Sequence, residues 1–134
     1  MPVKAEVIVE LGLFLTSVSG KVNDETAFQF QESITSFPNY NSTLNTLLDV
    51  RSIDKNLLSP DSLINLAANT PFDSSVKRAY VVNNEINAML ATLFGTTTSD
   101  NEHFFITYNI DDACEWLGFS FNDIKSSSVY KNDT

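Results

Sequence analysis

The strongest constraint on this chain is an alternation: short strand-forming runs are separated by stretches with helical spacing and recognisable caps. Val3, Ala5, Val7 and Val9 alternate with Lys4, Glu6, Ile8 and Glu10, the period-two pattern of a strand with one drier face. A turn at Leu11-Gly12 leads into a second strand, Leu13 to Val18, forming an antiparallel hairpin closed by Gly20. Asn23 then reads as an N-cap, with Asp24 and Glu25 in the first turn, where the helix dipole favours acids. Ala27, Phe30, Ile34 and Phe37 share one helical face, and Pro38-Asn39 stops the helix, predicting Asp24 to Ser36. Leu44 to Val50 is apolar on both faces and reads as a buried parallel strand. Ser59-Pro60-Asp61 starts a second helix, packed through Leu63, Leu66 and Ala67 and stopped by Asn69-Thr70-Pro71.

The second half repeats the scheme. Arg78 to Val82 is a short strand, after which Asn83 or Asn84 caps a helix with a stripe of Ile86, Met89, Leu90, Leu93 and Phe94. Gly95 fits its C-terminal stop, leaving Thr96 to Asn101 as a polar loop. His103 to Tyr108 gives a fifth strand, and Asn109 caps a last helix anchored by Ala113, Trp116 and Leu117, with Gly118 beyond it. The order ββαβαβαβα predicts an α/β fold: a mixed, mostly parallel five-stranded sheet covered by about four helices. Residues 1–121 are expected to form a single domain. Residues 122–134, polar around Ser126-Ser127-Ser128, are expected to form a flexible C-terminal tail.

Composition narrows the function. Of 134 residues 43% are hydrophobic and 19% charged, which suits a folded domain and not a disordered one. Acidic residues outnumber basic ones 17 to 8, and the net charge of −9 argues against binding nucleic acid through a broad basic face. One cysteine and one histidine make neither an internal disulfide nor a usual zinc site, and no cofactor is expected. The uncharged apolar stretch Leu11 to Gly20 is far shorter than the roughly 20 residues of a membrane-spanning helix, so no stable membrane insertion is expected. Lys4 against Glu6 and Glu10 is the wrong charge for a secretory leader, and the chain is expected to be cytoplasmic.

Element order and several local phrases together resemble the SpoIIAA-like proteins, bacterial relatives of the STAS (anti-sigma-factor-antagonist) domain. The phrases are Gly20-Lys21-Val22, Leu47-Leu48-Asp49-Val50-Arg51, Leu58-Ser59-Pro60, Arg78-Ala79-Tyr80-Val81-Val82 and Asp111-Asp112-Ala113-Cys114-Glu115-Trp116-Leu117. They span roughly residues 3 to 118 in order. The resemblance implies the antagonist fold, which CRAL-TRIO lipid-transfer domains share more distantly. It also implies a serine at the start of the second helix that a partner kinase phosphorylates, within an Asp-Ser-Ser/Thr-Gly-like motif. Here that region reads Asp54-Lys55-Asn56-Leu57-Leu58-Ser59-Pro60-Asp61, without the motif, and Ser59 and Ser62 are the candidates for a phospho-switch. Asp73-Ser74-Ser75 spells the letters but precedes a strand.

Each candidate has a plainer reading beside it. Phosphate on Ser59 would meet the positive end of a helix dipole, yet an unmodified serine there is accounted for as an N-cap. Asp49 and Arg51, at the carboxyl end of a central strand, sit where open α/β sheets bind ligands and together could orient a polar group, but Asp49 reads first as an acceptor for neighbouring loop amides. His103 lacks a partner suggested by spacing, because Glu102 points to the other strand face. Cys114 lacks basic neighbours and reads as inert. No nucleophile elbow, P-loop or dinucleotide glycine fingerprint occurs, no carboxylate pair is spaced for acid–base work, and no catalytic residue is expected. The expected function is therefore that of a non-catalytic SpoIIAA-like binding domain, a regulatory protein-interaction module. In that module the second and third helices present Ser59, Asp61 and Met89 to a protein partner or to a second copy of the chain. The alternative is a carrier or sensor of a lipid or other apolar small molecule, held in a cleft between sheet and helices lined by Phe and Leu. Asp49, Arg51, Asp61, Met89, Leu93 and Phe94 are the candidate ligand or partner surface.

Overall fold

A computed structural model describes residues 1–100 and 102–131. β1 (Val3–Ile8) and β2 (Leu13–Val22) form the antiparallel hairpin, in a register running from Val3 opposite Val18 to Ile8 opposite Leu13. The turn is a single 3-10 turn, Val9–Leu11, closed by Gly12 at φ +58°, a conformation that costs glycine little. β2 then pairs in parallel with β3 (Asn45–Asn56), β3 with β4 (Arg78–Val81), and β4 with β5 (Phe104–Thr107). Spatial order follows chain order, β1-β2-β3-β4-β5. The expected α/β class and five-stranded mixed sheet are both present.

Four helices follow the caps read from sequence. α1 (Asp24–Ser33) carries a capping box between Asn23 and Thr26 and continues as a 3-10 turn, Ile34–Ser36. α2 (Pro60–Ala68) is capped by Ser59, α3 (Glu85–Thr98) by Asn84, and α4 (Ile110–Leu117) by Asn109, with Gly118 at φ +97° ending it. Successive parallel crossovers of one hand, all stepping the same way across the sheet, put their helices on one face. Accordingly α1, α2 and α3 cover the face bearing Phe14, Thr16 and Val18 of β2, Leu48 and Val50 of β3, and Arg78 and Tyr80 of β4. The alternate residues Leu13, Leu15, Leu47, Ala79 and Val81 point the other way and pack against Ala113 and Cys114 of α4.

Three expectations change. β2 and β3 run on to Val22 and Asn56, past the expected ends at Val18 and Val50, because their parallel pairing continues through two bulges, at Ser17/Ser19 and Gly20/Lys21. α3 does not stop at Gly95. It continues through Thr98, where the polar loop was expected, and the Thr96, Thr97 and Thr98 hydroxyls donate back to carbonyls three or four residues earlier. Gly95 is buried against Phe104, whose ring atoms would lie 2.6–2.9 Å from an added Cβ. The third correction concerns the expected flexible tail, 122–134, of which residues 132–134 lie outside the described residues. It forms a 3-10 turn, Phe121–Asp123, and inserts Ile124 (0% exposed) and Val129 (4% exposed) into the core on the α4 side. α4 alone is too small to cover that face, and these side chains complete it. Among the described residues no helix is long and apolar enough to cross a membrane.

Candidate functional site

Side chains from β2, β3 and β4 on one side, and from α1, α2 and α3 on the other, enclose a partly open cavity of about 210 Å³. Its walls are overwhelmingly apolar: Phe14, Val18, Leu48, Phe30, Leu66 and Leu90 are representative. The volume of about 210 Å³ exceeds the ~150 Å³ of an apolar void that admits benzene, and is smaller than the roughly 300–1,000 Å³ of drug-sized pockets. A Phe14–Phe37 edge-to-face pair at 5.3 Å and a Tyr80–Phe94 pair at 6.2 Å stiffen two sides of this face.

Polar groups lie at both ends of this apolar space. At the carboxyl end of β3, the Asn56 side-chain amide donates to Asn87, and that of Asn87 to Asn83. The Asn83 amide in turn donates to the Arg51 carbonyl, so this chain is internally satisfied. At the amino end of β4 sits Arg78, only 2% exposed. Its Nη1 donates to the Val76 carbonyl, and its Nη2 to the carbonyls of Phe72 and Asp73. Among the described residues no carboxylate is within ion-pairing distance of it. Burial pulls its pKa below the usual arginine value, against opposing contributions from Tyr80 and Asp73. Two residues along, Tyr80 is 3% exposed, and its hydroxyl, close to the Thr98 side chain, makes no hydrogen bond of ordinary geometry among the described residues. Burial pushes that hydroxyl's pKa well above the tyrosine range, so it stays protonated and able to donate.

The residues singled out from sequence divide between this cavity and other surroundings. Phe94 lines the cavity; Leu93 is half-buried beside it; Met89 is 71% exposed on the outer side of α3, and Asp61 is exposed on α2. Ser59 caps α2, its Oγ accepting from the Ser62 amide at 3.1 Å. Its own amide and hydroxyl donate to the Asp24 carboxylate. A phosphate placed there would face that carboxylate, so like-charge repulsion opposes the attraction of the helix dipole. Asp49 and Arg51 share the α4 side of the sheet, away from the cavity. Asp49, 4% exposed, accepts from the Arg51 amide and Nε through Oδ1, and from Arg51 Nη2 and the Tyr130 hydroxyl through Oδ2. Those four donors fill the carboxylate. His103 bonds through Nδ1 to Asp100 at 2.6 Å, not to Glu102, and is half-exposed. Cys114 is fully buried, and burial pushes its thiol up to about 11.

Sequence reading missed Arg78 and Tyr80. The available signal was a cation inside a four-residue run, Arg78-Ala79-Tyr80-Val81, that is otherwise apolar enough to be buried on both faces. Among the described residues no group of three or more His, Cys, Asp or Glu side chains is placed to hold a metal ion. The chain matches no protein-family model, no curated protein and no solved structure.

Proposed function

We propose that this chain is a binding protein, a carrier or sensor, for an apolar small molecule held between the sheet and helices α1–α3. The observation behind the reading is the cavity of about 210 Å³, walled by apolar side chains from all three helices and the three strands beneath them. Interiors normally fill to crystal-like density, and a space of this size that the chain's own side chains do not fill can offer a ligand many dispersion contacts.

The test pairs binding with a filled cavity. Titration with 1-octanol, followed by calorimetry and by the rise in melting temperature, should show saturable binding. The cavity-lining substitution Ala91→Leu should abolish it while the fold is retained. Octanol without effect on either measurement overturns the reading, as does undiminished binding to Ala91→Leu.

A second reading, the regulatory protein-interaction module, is favoured by Ile86 and Met89, 67% and 71% exposed on one side of α3. It predicts that Met89→Glu weakens self-association, or capture of a protein partner, and leaves octanol binding unchanged.

A further inference from the structure

We infer that the ligand of this cavity is an amphipathic monoanion, a medium-chain carboxylate. Its headgroup accepts hydrogen bonds from Arg78 and Tyr80, and its chain lies along the apolar wall. The inference rests on the small-molecule reading above and specifies the chemical class.

Both headgroup donors are set into the cavity wall, and both are incompletely used. Arginine has five N–H donors. Three backbone carbonyls engage Nη1 and Nη2 of Arg78, while its Nε–H and the second Nη1–H have no partner among the described residues. A guanidinium taken out of water is costly unless an opposite charge compensates it. The Asp73 charge compensates in part from beyond ion-pair distance, while the hydrogen bond from Arg78 goes to the Asp73 backbone carbonyl and not to its carboxylate. The unpartnered Tyr80 hydroxyl is a separate observation on the same wall. A buried hydroxyl without a partner costs stability, and a carboxylate oxygen would relieve it. Arg78 and Tyr80 are two apart on one strand and face the same side, so one headgroup can reach both. The remaining lining near them, Phe72, Phe94 and Leu66, offers no charge. In a chain carrying a net charge of −9, a buried cation with no carboxylate in ion-pair contact among the described residues is the local feature that would select an anion over a neutral ligand.

Octanoate and 1-octanol, near-isosteric and differing in charge, separate this inference from the one it rests on. Calorimetric titration at pH 7.5 should give octanoate the tighter binding by roughly tenfold or more, as expected of hydrogen bonds to a charged group. Tyr80→Phe keeps the ring and should remove several-fold of the preference for octanoate over octanol. Carboxyl-13C octanoate bound to the protein should remain ionised at pH 5, because the guanidinium favours the carboxylate. Burial without a cation would drive it to the protonated form. Equal binding of the two probes, or a bound carboxyl that is protonated at pH 5, overturns the monoanion and leaves the apolar cavity standing. Failure of both probes to bind overturns the cavity reading as well.

Discussion

The junction between α1 and α2 rests on one short polar constellation. Asp24 takes its hydrogen bonds from Ser59, and Ser59 in turn accepts from Ser62. The Ser59 amide, followed by the Ser62 and Ser59 side chains, holds the Asp24 carboxyl below its ordinary range. A depressed folded-state pKa contributes stability above the unfolded value near 3.9, and that contribution disappears as pH falls through the folded value. Melting temperatures of the wild type and of Asp24→Asn should therefore differ at pH 7 and converge as pH drops from about 5 to 3. Ser59→Ala removes the cap and should cost about 1 kcal/mol in a urea melt. Cys114 supplies a contrasting case. Burial and the neighbouring Asp111 and Asp123 charges raise its thiol to about 11, so at pH 8 it should react with a disulfide reagent only under denaturing conditions. Rapid labelling of the native protein would contradict that placement. The caps were legible because an N-cap is a local pattern of four residues. The bond from Ser59 to Asp24 was not, since the partners are 35 residues apart and nothing in either neighbourhood specifies the other.

Element type and order were legible for a related reason. Each strand and helix carries its own periodicity, and in a sheet whose spatial order follows chain order, local reading suffices for topology. Ends were legible only where a local signal set them. Proline stops α1 and α2 near where expected, whereas β2 and β3 lengthen through pairing with each other, a property of two distant segments. Gly95 misled because a glycine before a polar run looks like a helix stop, while its actual constraint is the Phe104 ring of β5 lying across it. That constraint makes a prediction whose sign propensity alone gets wrong. Gly95→Ala should gain up to about 1 kcal/mol from helix propensity, yet the Cβ would sit within 2.9 Å of the half-buried Phe104 ring. Overpacking of this kind costs roughly 1–3 kcal/mol, so the variant should be less stable than wild type by chemical denaturation. A more stable Gly95→Ala protein would mean that the α3–β5 contact is looser than described.

At the scale of the whole molecule, the two faces of the sheet are closed in different ways, and the difference bears on function. Three helices span the face that carries Arg78 and Tyr80, and they stand off it far enough to leave the cavity. The other face has only α4, and its closure depends on the segment running from Phe121 to Tyr130. Ile124 and Val129 fill the core there, Phe121 stacks edge-on with Tyr130 at 5.3 Å, and the Tyr130 hydroxyl bonds to Asp49 at 2.8 Å. The segment's polar composition hid this role, because four well-placed apolar or amphipathic side chains, Phe121, Ile124, Val129 and Tyr130, outweigh six polar neighbours once a sheet face needs covering. Removing everything after Ser120 would delete both aliphatic side chains, uncover the core surface they pack against, and leave Asp49 with one donor fewer. Burial of an aliphatic side chain is worth about 1.5–3 kcal/mol and a hydrogen bond to a charged group a similar amount, so the truncated chain should lose roughly 4 kcal/mol or more. That is a large part of the roughly 5–15 kcal/mol that holds a domain together, and the urea midpoint should fall steeply. Tyr130→Phe isolates the hydrogen bond and should cost about 1–2 kcal/mol, without altering octanol affinity, because Asp49 lies on the side of the sheet away from the cavity. If Tyr130→Phe instead changes ligand affinity while stability is unmoved, the two faces are coupled through β3, and the division of labour drawn here between a closed face and a binding face fails.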